Sequence, residues 1–157
     1  MSNLTNHWKQ IVDRIPQEQH AGLNPPASDE QLQQLENEIG FAIPVELREL
    51  LSINNGMKHL DDGLYPPLLS TKQMAKQQKD MLEIMEPDDE YTPDNLDECC
   101  TWVDWLLLFA ESDGGGYAID LNSGAIWDWD HDGWTFEHKA DSLSEFLAST
   151  AADPDHW

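Results

Sequence analysis

Residues 124–139 read GAIWDWDHDGWTFEHK, and aromatic and acidic side chains alternate on both sides of a central Asp132-Gly133. Aspartate followed by glycine is a strong signal for a two-residue type I′ turn between antiparallel strands. Such a turn fixes three cross-strand pairs, which are His131 with Trp134, Trp129 with Phe136, and Trp127 with His138. The segment therefore predicts a β-hairpin with a defined register.

The predicted hairpin has one aromatic face and one acidic face. Directly opposed residues share a face, so the aromatic face collects Trp127, Trp129, His131, Trp134, Phe136 and His138. The other face collects Ile126, Asp128, Asp130, Thr135 and Glu137. A half-buried sheet requires this separation, and we expect helices to cover the aromatic face.

Asp128, Asp130 and Asp132, followed by Gly133, also resemble the start of an EF-hand calcium loop. That loop needs a bidentate acid at its twelfth position, where this chain has Lys139. In an extended strand, residues two apart are separated by ~6.6 Å, so alternate aspartates do not converge on one ion. The hairpin is the favoured interpretation, and micromolar calcium binding in a calorimetric titration would overturn it.

Three helices are predicted in the first third of the chain. The first carries an apolar stripe made of Leu4, Trp8, Ile11, Val12 and Ile15. The second begins at Ser28, with Gln31 in the position of a capping box, and ends at Gly40. The third has Pro44 in its first turn and is closed by Asn55-Gly56.

Strand periodicity dominates the second half of the chain, after a weaker helix predicted over residues 71–85. An antiparallel meander is predicted from three segments, 103–110, 117–121 and 125–131. A last helix begins at Ser142, with Glu145 in the capping-box position. The sequence thus predicts one α+β domain over residues 1–157, with N-terminal helices and a C-terminal helix packed on a mainly antiparallel meander sheet.

The net charge of the chain is −23, from 8 lysines and arginines against 31 aspartates and glutamates. No lysine or arginine occurs from Asp80 through His138. A field of this sign repels nucleic acid and anionic membrane surfaces, because both attract basic proteins. The charge would draw a basic macromolecule inward, so a basic protein is the predicted partner, although solubility alone would also account for it.

Two groups of residues are candidate contacts with that partner. Segment 86–98, EPDDEYTPDNLDE, is either a solvated loop or a contact loop with an aromatic anchor. Its candidate residues are Asp88, Asp89, Glu90, Tyr91, Asp94, Asp97 and Glu98. The hairpin adds Asp128, Asp130 and Glu137 from its acidic face, and Trp134 beside the turn, because tryptophan is enriched at binding hot spots.

The sequence carries no motif that identifies a catalyst, a metal site or a cofactor site. Gly114-Gly115-Gly116 joins two predicted strands without the lysine of a P-loop, and zinc-site histidine spacings are missing. Cys99 and Cys100 are adjacent, and no apolar segment approaches the ~20 residues of a membrane span. We therefore expect a non-enzymatic cytoplasmic protein, and we favour a monomer although the oligomeric state is open.

The order of these landmarks resembles the SUKH superfamily. The similar segments are LNPPASDEQLQQLENEIGFAIPVELRELLSINNG at 23–56, WLLLFAESDGGGYAIDL at 105–121, GAIWDWDHDG at 124–133 and DSLSEFLAS at 141–149. The resemblance spans about residues 21–149. This superfamily includes the Smi/Knr-type cell-wall assembly regulator of yeast and many bacterial immunity proteins.

The resemblance implies an α+β domain and no universal catalytic motif. It also implies that the protein binds and neutralises a cognate toxin, often a nuclease or a deaminase, made by the same cell. The alternative is a regulatory or scaffold module of the Smi/Knr type with an endogenous partner. An enzyme acting on a small cationic substrate is the third class, and a deep pocket with convergent carboxylates would favour it.

Overall fold

The computed structural model describes residues 3–15, 17–58, 68–84, 105–110, 115–130 and 135–153. Five α-helices lie in these ranges: α1 Asn3–Arg14, α2 Asp29–Ile39, α3 Val45–Leu51, α4 Thr71–Ile84 and α5 Leu143–Ala152. The four strands are β1 Trp105–Ala110, β2 Gly116–Asp120, β3 Ile126–Asp130 and β4 Thr135–Ala140. They form an antiparallel meander in the order β1-β2-β3-β4, which confirms the predicted α+β fold. A 3₁₀ helix, Gln17–Gly22, follows α1 and has no counterpart in the sequence prediction.

Helix boundaries follow the local signals in the sequence. The Ser28 hydroxyl accepts a hydrogen bond from the Gln31 N–H at 3.1 Å, and the Gln31 side chain accepts one from the Ser28 N–H at 2.9 Å. This reciprocal pair is the predicted capping box of α2. At the other end, Gly40 has φ 76°, the left-handed conformation that ends the helix.

The start of α5 matches its prediction only in part. The Ser142 hydroxyl accepts from the Glu145 N–H at 3.1 Å, as a cap should. The Glu145 carboxylate accepts from the N–H of Asp141 at 3.2 Å. It therefore reaches one residue beyond the position that a capping box requires.

The main hydrophobic core lies on the face of the sheet opposite to the one we expected helices to cover. Leu106, Ile119 and Ile126 are neighbours across β1, β2 and β3, and each is at most 1% exposed. They belong to the same cluster as the apolar stripes of α1, α2, α3 and α5. Phe146 of α5 packs on Tyr117 of β2 with ring centroids 5.0 Å apart. The prediction placed Ile126 on the acidic face of the hairpin, and that face is buried at this end.

The aromatic face is covered as well, and among the described residues helix α4 covers it. Met81 of α4 joins Trp105, Ala118, Trp129 and Phe136 in a second, smaller cluster, here called the aromatic cluster. The Gln78 side chain on α4 donates to the carbonyl of Trp105 at 3.1 Å. Helix α4 also reaches the main core through Met74, so both faces of the sheet are buried and the expectation of one covered face was too simple.

The Asn54-Asn55-Gly56 turn after α3 is a hydrogen-bond junction between distant segments. The Trp8 indole N–H donates to the Asn54 side-chain carbonyl at 2.9 Å, and the Asn54 amide donates to the carbonyl of Asn24 at 2.9 Å. The Asn55 side chain accepts from the backbone N–H of Thr71 at 2.8 Å. This turn therefore joins α1, the segment before α2, and the start of α4.

Glu36 holds the link between α2 and α3, and replacing it by alanine is expected to destabilise the fold. Its carboxylate accepts from the backbone N–H of Ile43 at 3.0 Å and pairs with the guanidinium of Arg48. Loss of both partners should lower the free energy of unfolding by about 2 kcal/mol, because the Ile43 N–H would lose its acceptor. Urea denaturation followed by tryptophan fluorescence measures this.

Glu38→Ala on the same helix is the matched control, since Glu38 is exposed and an exposed substitution changes stability by at most ~0.5 kcal/mol. Equal losses in the Glu36 and Glu38 variants would show that the link contributes nothing beyond helix propensity.

Candidate functional site

The hairpin of β3 and β4 has the register that the sequence predicts. The paired residues are Trp127 with His138, Asp128 with Glu137, Trp129 with Phe136, and Asp130 with Thr135. The predicted pair of His131 with Trp134 lies outside the residues that the structure describes. Because Asp128 and Asp130 belong to a regular strand, the structure favours the hairpin over the start of a calcium loop. Within the described ranges, no three His, Cys, Asp or Glu side chains are grouped so that they could hold a metal ion.

One row of side chains runs across the sheet from the core to the edge. Phe109, Tyr117, Asp128 and Glu137 are successive neighbours on β1, β2, β3 and β4. Phe109 and Tyr117 are each 1% exposed, Asp128 is half-buried and Glu137 is exposed. Along this row, the side chains therefore change from buried aromatic groups on β1 and β2 to increasingly exposed carboxylates on β3 and β4.

Three carboxylates, here called the hairpin acids, gather on this part of the sheet: Asp128, Asp130 and Glu137. Residues directly opposed on neighbouring antiparallel strands have Cβ atoms about 4.5–5.5 Å apart, which is the relation of Asp128 to Glu137. Asp130 follows Asp128 on the same face at ~6.6 Å. An ammonium or guanidinium group placed between carboxylates this close can contact more than one of them. The hairpin acids can thus receive a cationic side chain.

The other face of the hairpin presents a mixed aromatic and charged edge. Trp127 meets His138 edge to face, with ring centroids 5.3 Å apart and planes at 88°. The His138 ring lies 3.0 Å from a carboxylate oxygen of Asp141. Trp127 is partly exposed, so this edge offers an aromatic surface beside polar groups. Asp141 carries no signal in the sequence, because it lies beyond β4 and reaches this edge through His138.

The pairing at Lys139 departs from the regular register that the sequence predicts. Ile126 pairs with Ala140 while Trp127 pairs with His138, so Lys139 is an extra residue in β4, a β-bulge. A bulge bends an edge strand and increases its twist. The sequence does not predict this bulge, because the alternation of aromatic and polar side chains in the segment continues through Lys139 without a break.

A sequence model of the SMI1/KNR4 family (SUKH-1) matches residues 26–149. The chain belongs to the SMI1/KNR4 family. Proteins of this family are generally non-catalytic immunity or regulatory proteins. Among curated proteins, no sequence matches this chain.

The SMI1/KNR4 region runs from the residues before α2 into α5, and it contains the whole sheet and the hairpin acids. In the part of the chain that the structure describes, no helix has the length and apolar character to cross a membrane.

The other contacts predicted from the sequence remain predictions. Asp88, Asp89, Glu90, Tyr91, Asp94, Asp97 and Glu98 lie outside the residues that the structure describes, as do Trp134, Cys99 and Cys100. Of the predicted contacts, the structure therefore brings together only Asp128, Asp130 and Glu137, which share one face of the hairpin in this SMI1/KNR4 domain.

Proposed function

We propose that this member of the SMI1/KNR4 family is an immunity protein that binds a basic bacterial toxin and blocks it by stoichiometric occlusion. The observation that carries the proposal is the cluster of three hairpin acids at the rim of the sheet, in a chain of net charge −23. The family to which the chain belongs includes toxin immunity proteins, which supports the same function.

The proposed toxin is a nuclease or deaminase domain with a basic substrate groove. Such a groove attracts the phosphates of a nucleic acid, and carboxylates can occupy it in their place. Inhibition of this kind requires no chemistry from the immunity protein and no cofactor. The protein would act as a monomer in the cytoplasm, where it meets the toxin before the toxin reaches its substrate.

The proposed contact surface combines the hairpin with segment 86–98. Carboxylates supply the charge, and aromatic side chains supply the apolar anchors that dominate many interfaces. The carboxylates are Asp88, Asp89, Glu90, Asp94, Asp97, Glu98, Asp128, Asp130 and Glu137, and the anchors are Tyr91 and Trp134.

Affinity purification of the tagged protein from its native host, with mass spectrometry of bound proteins, tests the proposal. We expect one basic protein at one-to-one stoichiometry that is released at high salt, because screening weakens contacts between surface charges. That protein would then be assayed for toxicity and for inhibition by this chain. A set of housekeeping or envelope proteins would instead support a Smi/Knr-type regulatory or scaffold function.

Asp88→Lys combined with Asp89→Lys is expected to slow association with the toxin and to weaken binding. Charges near an interface act mainly on the association rate, so the rate constant should fall by about tenfold at low salt. Surface plasmon resonance at two salt concentrations measures this. The control is Asp29→Lys with Glu30→Lys, two exposed acids at the start of α2 that give the same change in net charge.

This control distinguishes an effect of the position of the substituted charges from an effect of the change in net charge. Equal association rates for the two double variants would remove segment 86–98 from the contact surface, while the hairpin acids would remain as candidates.

A further inference from the structure

Helix α4 concentrates positive charge in an otherwise acidic protein. Its 14 residues hold Lys72, Lys76 and Lys79, three of the 8 lysines and arginines in the chain. Elsewhere the basic side chains are dispersed. Lys9 pairs with Asp13, Arg48 pairs with Glu36, and Arg14 donates to the last carbonyls of α5.

The three lysines form one stripe along the outer face of α4. They are spaced four and three residues apart, so the stripe rises by ~6 Å and then by ~4.5 Å along the helix axis. Met74, Gln78 and Met81 are buried on the inner side of the same helix. The lysine stripe therefore points away from the aromatic cluster.

A cavity of about 790 Å³ lies against this stripe. Its described lining includes all three lysines and Gln73 of α4, and it also holds two carboxylates, those of Glu38 on α2 and Glu83 on α4. A second groove of about 220 Å³ runs between α2 and α4 and shares Glu38 and Lys72 with the first. Volumes of ~300–1,000 Å³ are typical of ligand sites, and the shared residues make the two spaces one elongated groove.

The cations on the stripe differ in their partners. Lys76 donates to Asp80 at 2.6 Å, and this hydrogen bond raises the pKa of Lys76 above its usual value. Among the residues that the structure describes, Lys72 and Lys79 have no ion-pair partner within 4.0 Å. The stripe thus presents the ammonium groups of Lys72 and Lys79, which lie in no ion pair among the described residues, while the carboxylates of Glu38 and Glu83 line the same space.

We propose that the groove between α2 and α4 binds an extended acidic segment of a second polypeptide. Alternate residues of an extended chain are ~6.6–6.8 Å apart, close to the rise from Lys72 to Lys76, so alternate carboxylates can follow the stripe. The amide side chains of Gln31, Gln34 and Gln73 along the groove can donate to the backbone carbonyls of that segment. This site is separate from the hairpin acids, which suit a basic partner.

The overall charge of the protein does not prevent this interaction. At physiological ionic strength the Debye length is about 8 Å, so carboxylates farther away are largely screened. Lysines in direct contact with the segment are screened much less. Binding should therefore persist near 0.15 M salt in spite of the net charge of −23.

The test is a titration of the ¹⁵N-labelled protein with a capped peptide of four Asp-Gly repeats, followed by amide chemical shifts. We expect shifts at Lys72, Gln73, Lys76 and Lys79. The triple variant Lys72→Gln, Lys76→Gln, Lys79→Gln should bind about tenfold more weakly, since each lost charge removes one contact. Glutamine has nearly the helix propensity of lysine, so α4 should stay folded in this variant.

Two controls make the result specific. The triple variant Lys9→Gln, Lys58→Gln, Lys139→Gln changes the net charge equally and should bind the peptide as the wild type does. A peptide of Asn-Gly repeats should not bind. Shifts outside the groove, equal losses in both triple variants, or no shifts with the acidic peptide would each overturn the proposal.

Discussion

Replacement of Gly56 by alanine is expected to lower the free energy of unfolding by about 3 kcal/mol or more, a large fraction of the stability of a typical domain. Gly56 has φ 80°, a conformation that costs any residue with a Cβ atom. A Cβ atom here would also lie 2.5 Å from the backbone nitrogen of Ser70 and 2.7 Å from the carbonyl carbon of Leu69. Backbone atoms cannot rotate away, so residues 69 and 70 would have to move.

The variant Gly40→Ala separates the cost of the positive φ from the cost of the steric clash. Gly40 has φ 76°, but a Cβ atom there would meet nothing within 4 Å. This variant should lose only the ~1 kcal/mol of the left-handed conformation. Urea denaturation of both variants measures the difference, and similar losses would mean that the contact with residues 69 and 70 relaxes at no cost.

The sequence predicts Asn55-Gly56 only as the turn that closes α3. Local chemistry is sufficient for that prediction, because a glycine after a helix accepts a positive φ. The hydrogen bonds that make this turn a junction reach Trp8, Asn24 and Thr71, which are far away along the chain. Nothing in the local sequence specifies those partners, so the importance of the turn becomes visible only in the structure.

The hairpin shows the same division between local and long-range information. Its register was predictable because a two-residue turn and strict alternation leave one pairing that separates acids from aromatic residues. The face that the helices cover was not predictable, because both faces of the hairpin carry apolar residues. Ile126 enters the main core, and Trp129 enters the aromatic cluster. Most of the helices that decide this burial, α1 to α4, come from distant parts of the chain.

The part of the candidate site that depends only on strand geometry was predictable from the sequence. Asp128, Asp130 and Glu137 share one face because side chains alternate along a strand and opposed residues are neighbours. That Asp128 is half-buried while Glu137 is exposed depends on how the helices pack on the sheet, which no local pattern records. The bulge at Lys139 and the contact of His138 with Asp141 are local, but no residue pattern in the segment specifies them.

Asp128→Asn combined with Glu137→Gln is expected to weaken toxin binding by about 30-fold, or about 2 kcal/mol. The two carboxylates are opposed across β3 and β4, so one cationic side chain of the partner can contact both. In the proposed complex a cation lies between them, and the same change removes its counter-charges.

Isothermal titration calorimetry with the purified toxin gives the affinity, and urea denaturation gives the stability of the same sample. Asp29→Asn with Glu30→Gln is the control, because it alters the net charge equally at the start of α2, away from the hairpin. Unchanged affinity in the hairpin variant would show that the hairpin acids lie outside the interface. A parallel loss of stability and affinity would mean that these carboxylates support the fold. Only weaker binding on an intact fold, with the control unaffected, assigns the hairpin acids to the partner, because the loss then arises from contacts that exist in the complex alone.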